Sequence, residues 1–381
     1  MSLLGNWNYP TSIRFGLGRI NELPEICQQV GIKKPLLVTD KGLSDLPITQ
    51  KTLEIMKANN LNPGFFSEVD PNPTEENLYA GVRQYINGGH DGVVAFGGGS
   101  GLDLGKVVAL MSRQKKSIWD FENFDEWGNQ ADASKIAPII AIPTTAGTGS
   151  EVGRASIITN SKTKTKKIIA HPKLLPSVVI CDPELTVSMP KFITSGTGLD
   201  AFAHCVEAFS SPHYHPMAQG IALEGMRLVK NYLPLAYKDG SDLSARANMM
   251  CAAAMGATSF QKGLGAIHAL SHPIGAVHNT HHGTTNAICM PAVLQLNAPA
   301  IKSRFDLVAN YLEIKGGFEG FCSFVQDLND HLEIPRKLSD IGVINPNIPE
   351  LASMALLDPS CNGNPITLTK ENTIALFEAC I

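Results

Sequence analysis

The stretch Asp91-Gly-Val-Val-Ala-Phe-Gly-Gly-Gly-Ser-Gly-Leu-Asp103 determines the fold class of the N-terminal half of the chain. Its first six residues form a short, mostly apolar run, which is typical of a strand buried on both faces of a parallel sheet. A glycine triplet follows directly, and the residues after it, 104–111, predict a helix. A strand that passes through a glycine turn into a helix is the repeating unit of an α/β domain.

Further strands and helices alternate on both sides of this unit. Residues 35–40 and 139–142 predict two more buried strands, while residues 48–58 and 74–86 have helical periodicity. Thr74, which is followed by two glutamates, has the chemistry of a helix N-cap. The alternation predicts a parallel sheet covered by helices on both faces.

The character of the sequence changes in two steps further along. Residues 154–181 predict strands near an edge of the sheet, joined by a lysine-rich connection that is typical of a solvated turn. From about Pro190 onward the periodicity is helical almost throughout, for example in residues 217–232. We therefore expect an α/β domain of residues 1–186 and an all-helical domain of residues 187–381.

The composition is that of a soluble enzyme with two domains. The chain has 381 residues, of which 44% are hydrophobic and 17% are charged. A formal charge of −4 and a pI near 6.3 offer no basic surface for nucleic acid. No apolar run approaches the roughly 18 residues that a membrane-spanning helix needs, and residues 1–7 lack the pattern of a signal peptide. Eight dispersed cysteines without C-x-x-C spacing indicate reduced thiols, so we expect a cytoplasmic protein.

Polar and glycine-rich residues follow three of the predicted strands. The loop Gly97-Gly-Gly-Ser100 precedes a helix, where backbone N–H groups bind phosphate, although a tight turn alone would also explain the glycines. Asp40 ends a strand at the place where a carboxylate accepts hydrogen bonds from ribose, and its alternative role is a cap of the next segment. The loop Pro143-Thr-Thr-Ala-Gly-Thr-Gly-Ser-Glu151 adds hydroxyl donors. These positions predict a dinucleotide site, with NAD(H) preferred because Asp40 would repel a 2′-phosphate.

Five of the eleven histidines fall between His268 and His282. His268 and His272 are four residues apart, so they share one face of a helix. Pro273 follows at once and predicts a kink or a break in that helix. Because neutral imidazole is the commonest metal-ligand side chain, the cluster indicates a metal site.

A second half-site lies upstream of the histidine cluster. Asp200 and His204 are also four residues apart and would project onto one ion, although the same spacing occurs in ordinary helix pairs. Together with His268 and His282 they offer one oxygen and three nitrogens, a set that suits Fe²⁺ or Zn²⁺. Ligand chemistry alone does not choose between these two ions.

The order and spacing of these motifs resemble the iron-containing (group III) alcohol dehydrogenases, a family that includes lactaldehyde reductase and several butanol and ethanol dehydrogenases. The resemblance covers essentially the whole chain. It rests on six motifs, namely Pro71-Asn-Pro-Thr74, Gly97-Gly-Gly-Ser-x-x-Asp103, Pro143-Thr-Thr-Ala-Gly-Thr-Gly-Ser-Glu151, Gly198-x-Asp-Ala-x-x-His-x-x-Glu207, His268-x-x-x-His272 and His282-Gly-x-x-Asn286.

The resemblance implies a homodimeric oxidoreductase that transfers hydride reversibly between a primary alcohol, or a hydroxy acid, and NAD. It implies an α/β dinucleotide-binding domain followed by an all-helical metal-binding domain. It implies that Asp200, His204, His268 and His282 hold Fe²⁺, with Zn²⁺ as the alternative ion. The residues that it implies for NAD are Asp40, Asn72, Gly97, Gly98, Gly99, Ser100, Asp103, Thr144, Thr145, Thr148 and Lys166.

Two further residues carry hypotheses about the reaction. Alcohol oxidation must release a proton, and His272, one helical turn from His268, is the predicted relay; its alternative role is to orient a ligand by a hydrogen bond. The segment 260–265 is one residue shorter than the form typical of lactaldehyde reductase. We hypothesise that Lys262 in this segment faces the substrate and favours one with a carboxylate, the alternative being a solvent-facing lysine.

Other functions also fit parts of the pattern. Within enzymes, the alternatives are a zinc-dependent relative of the glycerol dehydrogenase type and a lyase of the dehydroquinate synthase type. A non-catalytic metal-binding or nucleotide-binding protein is disfavoured, because both half-sites and both nucleotide loops are intact. The expected partner is a small alcohol or aldehyde, with no nucleic acid and no membrane.

Overall fold

The computed structural model describes residues 11–122 and 131–381. The predicted lack of a signal peptide concerns residues 1–7, which lie outside the described residues. Packing divides the chain into two units, with a break between Ser188 and Met189. The predicted domain boundary, between residues 186 and 187, lies two residues before this break.

The division has one further feature. The segment Ala146–Thr148 groups with the second unit, whereas the residues on either side of it, Thr145 and Gly149, belong to the first. The predicted domains were continuous stretches of chain, so they did not assign this short segment of the first half to the second unit.

The first unit is built on a parallel sheet. Its strands are Ser12–Phe15 (β1), Pro35–Val38 (β2), Gly64–Phe66 (β3), Gly92–Gly97 (β4), Ile139–Pro143 (β5), Ala155–Asn160 (β6), Thr165–Ala170 (β7) and Val178–Cys181 (β8). Within the described residues, six of these strands form one sheet in the order β1-β8-β5-β4-β2-β3, with every neighbouring pair parallel. The predicted parallel sheet is therefore confirmed.

Helices cover this sheet. They are Leu23–Gln29 (α1), Pro47–Ala58 (α2), Glu75–Gly88 (α3) and Gly99–Met111 (α4). Every residue of β2, β4 and β5 is buried, so both faces of the centre of the sheet are covered. Thr74 caps α3 as predicted, because its side chain accepts a hydrogen bond from the backbone of Asn77 and its own backbone donates one to the Asn77 side chain.

Three details of the first unit differ from the sequence prediction. Strands β6 and β7 form a separate antiparallel hairpin, with the lysine-rich connection as its turn, while β8 lies inside the main sheet between β1 and β5. Helix α4 begins at Gly99 and not at Leu104, so part of the glycine loop is itself the first helical turn. Strands β1 and β3 were not predicted, because β1 has no fully buried residue to give an apolar run and β3 is only three residues long.

In residues 189–381 all regular secondary structure of the second unit is helical, which confirms the prediction. Its helices are Lys191–Ser210 (α5), Pro216–Lys238 (α6), Leu243–Ser259 (α7), Ala266–His278 (α8), His282–Tyr311 (α9), Gly317–His331 (α10), Ile348–Leu356 (α11) and Lys370–Cys380 (α12). Every residue of α5 from 194 to 210 is buried, and α6, α7 and α9 pack against it. A helix that is buried on all sides forms the centre of its unit.

Helix α8 excludes one of the two outcomes predicted for Pro273, a break in the helix, while a kink stays a prediction. It continues through Pro273 and ends at His278, so the proline does not break it. The helix then turns at Asn279, which has a left-handed backbone with φ of 53°. His268 and His272 lie together in the first two turns of this helix, as their spacing predicted.

Candidate active site

Three imidazole nitrogens converge on one carboxylate oxygen in the helical unit. The Nε2 atoms of His204, His268 and His282 lie 3.7, 3.6 and 3.6 Å from Oδ1 of Asp200. Asp200, His204 and His268 are almost completely buried, while the side chain of His282 is 26% exposed. The site is therefore buried, except that solvent partly reaches it at His282.

The arrangement fits a divalent metal ion. Four ligands about 2.1 Å from an ion at the corners of a tetrahedron lie roughly 3.4 Å apart, close to the separations from Asp200 Oδ1. The ligand atoms of Asp200, His204 and His268 all lie within 4.8 Å of one another. The donor set of carboxylate oxygen and imidazole nitrogen is one that both Fe²⁺ and Zn²⁺ accept.

Asn286 identifies the direction in which these atoms point. Its Nδ2 atom donates a hydrogen bond of 2.8 Å to Asp200 Oδ1 and lies 3.3 Å and 3.2 Å from Nε2 of His268 and His282. An amide group has two hydrogens, so it donates to Asp200 Oδ1 and to one imidazole nitrogen at a time. The three atoms therefore face one common region, which is the arrangement that metal ligation needs.

Close helix packing brings these residues together from distant parts of the chain. Asp200 and His204 are one turn apart on α5, and His282 opens α9. A Cβ atom on Gly283 would lie 2.0 Å from the backbone oxygen of Gly196, so only glycine allows α5 and α9 to approach this closely.

The electrostatics of the site favour a cation. Burial acts to raise the pKa of Asp200, but the three facing imidazoles outweigh it and hold that pKa well below its ordinary value. Burial lowers the pKa of His204 to about 4. Burial also acts to lower the pKa of His268, but Glu207 and Asp200 together raise it to about 10. Two carboxylates beside these imidazoles make a site whose negative charge a divalent ion can balance.

Glu207 and Asn286 contact the ligand set, although sequence reasoning assigned neither a role. Glu207 lies one helical turn after His204, and its Oε2 atom accepts a 2.5 Å hydrogen bond from Nδ1 of His268. Asn286 lies one turn after His282. The signal was their spacing of three and four residues from predicted ligands, which places them on the same helix faces.

His272 lies beside the ligands but is held by a different residue. Its Nδ1 atom donates a 2.7 Å hydrogen bond to Oδ2 of Asp358, and its ring stacks on that of His282 with centroids 5.4 Å apart. Its Nε2 atom is buried without a hydrogen-bond partner among the described residues. The side chain thus presents one free acceptor nitrogen near the metal ligands.

The two remaining histidines of the cluster differ from each other. His281 is the N-cap of α9, because its Nδ1 atom accepts a hydrogen bond from the backbone of Thr284. His278 ends α8, and its Nε2 atom is buried without a hydrogen-bond partner in the described part of the chain. The structure therefore gives His281 a role in holding α9, which carries His282.

Lys262 is buried, so the alternative of a solvent-facing lysine was wrong, and its hydrogen bonds argue against a role in recognising the substrate. It is 2% exposed, and its Nζ atom donates hydrogen bonds of 3.0, 3.3 and 2.6 Å to the backbone oxygens of Ala208, Phe209 and Ser211. An ammonium group has three donors, and these carbonyls at the C-terminus of α5 satisfy all of them. Lys262 is therefore a cap of α5.

Some of the predicted nucleotide residues of the first unit lie at one edge of its sheet. Strands β2, β4 and β5 are neighbours, and Asp40, the glycine loop and Thr144 follow their respective carboxyl ends. The two loops are joined directly, since the backbone N–H of Thr144 donates to the backbone oxygen of Gly97 at 3.0 Å. Carboxyl ends of adjacent parallel strands are where open α/β sheets bind nucleotides.

A glycine turn, a helix N-terminus and two hydroxyl groups lie at this edge of the sheet. Gly97 has φ of 142°, which only glycine adopts readily, and Gly98 is the N-cap of α4. Ser100 in the first turn donates to the backbone oxygen of Pro71 at 2.6 Å. The hydroxyl of Thr144 is buried without a hydrogen-bond partner among the described residues. Together they place a helix N-terminus and a free hydroxyl at the end of β4 and β5.

Two acids predicted to contact NAD, Asp40 and Asp103, already accept hydrogen bonds from other groups of the protein. Oδ1 of Asp40 accepts hydrogen bonds from the backbones of Gly42 and Leu43, at 2.9 and 3.2 Å, and burial raises the pKa of this carboxyl. Asp40 therefore holds a turn, although helix α2 begins only at Pro47. Its second oxygen has no such backbone contact among the described residues.

Both carboxylate oxygens of Asp103 accept hydrogen bonds within the protein. Its Oδ1 atom accepts from the hydroxyl of Ser150 at 2.5 Å, and its Oδ2 atom accepts from the backbone of Ile157 at 3.0 Å. The fully buried Lys106 lies 3.5 Å from the same carboxylate. Asp103 thus ties α4 to β6 and to the segment before it. Its contact with NAD remains a prediction, as do those of Asn72, Thr148 and Lys166.

Comparison with known proteins shows the family to which the chain belongs. The family model "Iron-containing alcohol dehydrogenase" matches residues 10–183, and the model for the C-terminal part of the same family matches residues 194–381. The chain belongs to the iron-containing alcohol dehydrogenase family. This confirms the predicted resemblance and the predicted enzyme class, and the match gives no support to the glycerol dehydrogenase and dehydroquinate synthase alternatives.

Particular members of the iron-containing alcohol dehydrogenase family resemble the chain over almost its full length. A 4-hydroxybutyrate dehydrogenase of Cupriavidus necator is 38% identical over 94% of each chain. The crystal structure of a 1,3-propanediol oxidoreductase superposes with a TM-score of 0.93, at 32% identity, over 99% of this chain and 100% of the other. A sulfoacetaldehyde reductase of Bifidobacterium kashiwanohense, determined in complex with NAD⁺, superposes with a TM-score of 0.89, at 29% identity, over 100% and 99%.

No helix in the described parts of the chain combines the length and hydrophobicity needed to cross a bilayer.

Proposed function

We propose that the protein transfers hydride reversibly between a primary alcohol, or a hydroxy acid, and NAD. The observation that carries the proposal is the convergence of three imidazole Nε2 atoms within 3.7 Å of one carboxylate oxygen of Asp200. Membership of the iron-containing alcohol dehydrogenase family supports the reaction class. The NAD⁺ complex of the related sulfoacetaldehyde reductase supports the choice of cofactor.

In this proposal Asp200, His204, His268 and His282 hold Fe²⁺, with Zn²⁺ as the alternative ion. A divalent ion there supplies Lewis acidity, which lowers the pKa of an alcohol hydroxyl and polarises a carbonyl group in the reverse reaction. The protein holds the four ligand atoms in a largely buried site, where electrostatic interactions are stronger than in water.

NAD is proposed to bind at the carboxyl edge of β2, β4 and β5. The N-terminus of α4 and the glycine turn before it offer backbone N–H groups to the pyrophosphate. The oxygen of Asp40 that makes no backbone contact is available to a ribose hydroxyl. The full proposed set is Asp40, Asn72, Gly97, Gly98, Gly99, Ser100, Asp103, Thr144, Thr145, Thr148 and Lys166.

His272 is proposed as the proton relay. Because Asp358 accepts the hydrogen of Nδ1, the imidazole has its lone pair on Nε2, the atom that is free of protein partners among the described residues. This nitrogen can accept the proton that an alcohol loses, while Asp358 stabilises the resulting positive charge. The same contact keeps the ring in one orientation between turnovers.

A hydroxy acid is the substrate class that we favour within this reaction. The support is the relative named 4-hydroxybutyrate dehydrogenase, which is 38% identical to the chain. Lys262 does not recognise the carboxylate of such a substrate, because its ammonium group is buried against α5.

We also propose that the enzyme is a cytoplasmic homodimer. The support for a reducing compartment is that all eight cysteines are free. The support for the dimer is the resemblance to the family alone. Light scattering on the purified protein measures the molar mass, and a monomeric value at assay concentrations would exclude the dimer.

Anaerobic reconstitution tests the proposed function. Metal-free protein is loaded with Fe²⁺ or Zn²⁺, and NADH formation is followed over a panel of alcohols, diols and ω-hydroxy acids. We expect NADH to accumulate with at least one primary alcohol and with NAD preferred to NADP. Loaded protein that forms no NADH over the whole panel would contradict the proposal.

A further inference from the structure

Glu207 is a buried acid whose side-chain hydrogen bonds, among the described residues, all go to helix α8. It lies on α5, three residues after His204, and is only 4% exposed. Its Oε1 atom accepts hydrogen bonds from the backbones of Ile267 and His268, at 2.6 and 3.2 Å. Its Oε2 atom accepts the 2.5 Å hydrogen bond from Nδ1 of His268. Among the described residues, His268 is its only ion-pair partner.

These contacts match an ionised carboxylate. Backbone N–H groups at the first turn of a helix are not used within the helix, and they carry its partial positive charge. An ionised carboxylate accepts hydrogen bonds and donates none, so Nδ1 of His268 must carry the hydrogen. In the neutral imidazole the lone pair then lies on Nε2, which faces Asp200 and Asn286.

The imidazole of His204 lacks an equivalent partner in the part of the chain that the structure describes. Nδ1 of His204 is buried without a hydrogen-bond partner among the described residues. Nδ1 of His282 lies 3.4 Å from the hydroxyl of Ser271, a long contact to a neutral group. Glu207 therefore fixes the orientation of the His268 ring through its Nδ1 atom.

We propose that Glu207 is a positioning residue of the metal centre, which orders the start of α8 and holds His268 with Nε2 directed at the metal. The inference rests on the proposed metal site. It adds that the site depends on one carboxylate outside the proposed ligand set.

The variant Glu207→Gln tests this inference. A glutamine has one acceptor oxygen where the glutamate has two, so it satisfies either the backbone of α8 or the ring of His268, but not both. We expect the affinity for Zn²⁺, measured by competition with a chromophoric chelator, to fall about 10–100-fold. We also expect the ring ¹⁵N and backbone amide resonances of His268 in the metal-free protein to shift, because glutamine cannot hold both the ring and the backbone as Glu207 does.

Asp358→Asn is the matched control, because Asp358 holds Nδ1 of His272 on the same helix. It should leave Zn²⁺ affinity unchanged, since His272 is not a proposed ligand. Circular dichroism of the metal-free variants checks folding. If Glu207→Gln does not fold, Glu207→Asp, which keeps the charge, takes its place. The Glu207→Asp variant should also lose Zn²⁺ affinity, because its shorter side chain retracts from Nδ1 of His268.

The outcomes separate this inference from the proposed function. Wild-type protein that binds no Zn²⁺ would overturn the metal site itself. Wild-type protein that binds Zn²⁺, together with a folded Glu207→Gln variant of equal affinity and unchanged His268 resonances, would overturn the role of Glu207 alone. Equal loss of affinity in the Asp358→Asn control would also overturn it, because the effect would then be general to α8.

Discussion

Gly283 of α9 faces Gly196 of α5 so closely that a Cβ atom on Gly283 would lie 2.0 Å from the backbone oxygen of Gly196 and 3.1 Å from Cβ of Asp200. The atom in the way is backbone, which cannot rotate aside as a side chain can. This contact therefore sets the distance between the helix that carries Asp200 and His204 and the helix that His282 opens.

Gly283→Ala is expected to separate these helices and weaken the metal site. Overpacking of this kind costs about 1–3 kcal/mol, and we expect at least a tenfold loss of metal affinity together with a lower Tm of the metal-free protein. Metal titration and thermal unfolding measure the two effects. The control is Gly220→Ala, at an exposed glycine where a Cβ atom meets nothing within 4 Å. If both variants bind metal equally well, the close approach is not what positions the ligands.

His272→Ala is expected to keep the metal and lose turnover. Removal of a general base lowers kcat by about 10²- to 10⁴-fold, whereas none of the four proposed ligand atoms is touched. The experiment compares kcat with metal content by elemental analysis, and the exposed His331 supplies the control variant His331→Ala. Equal loss of metal and activity would instead support a role of His272 in orienting a ligand.

The elements that could be predicted from sequence are those whose residues carry a local signal. Strands β2, β4 and β5 are apolar along their length because both faces are buried, and the helix pairs Asp200/His204 and His268/His272 have the spacing of one turn. The identity of the full ligand set came from the resemblance to the family, since spacing alone allowed ordinary helix pairs.

The parts that could not be predicted depend on tertiary contacts. The contact between Glu207 and His268 spans 61 residues of chain, and that between Asn286 and Asp200 spans 86. Lys262 was misinterpreted because a lysine in an isolated segment is normally solvated. Only the folded chain reveals the three carbonyls at the end of α5 that accept its hydrogens.

Asp40→Asn is expected to relax the preference for NAD over NADP. The amide keeps an oxygen for the turn with Gly42 and Leu43 but removes the charge that repels a 2′-phosphate. We expect the ratio of kcat/KM for NADP to that for NAD to rise at least tenfold. Asp91→Asn is the matched control, because Asp91 also accepts backbone hydrogen bonds, from Lys33 and Lys34, but precedes β4 at the opposite end of that strand. An unchanged ratio in Asp40→Asn would remove Asp40 from the NAD site.

Lys262→Met is expected to leave substrate selectivity unchanged. The ammonium group is enclosed by the end of α5 and is not accessible to a substrate carboxylate. The measurement is the ratio of kcat/KM for an ω-hydroxy acid to that for a neutral alcohol of the same chain length. A clear shift of this ratio toward the neutral alcohol would restore Lys262 as a selectivity residue.

The same variant tests how burial affects the charge of Lys262. Burial, together with repulsion from Arg304, lowers the pKa of Lys262 to about 7, whereas the unfolded chain keeps the ordinary value of about 10.4. Between these two values the unfolded state binds more protons than the folded state, so the free energy of unfolding rises with pH in this window. Lys262→Met lacks this contribution, so the stability of the wild type relative to the variant should increase from pH 7 to pH 9 in urea unfolding. A difference that is constant over this range would mean that the three carbonyl contacts fully offset burial and hold the lysine charged.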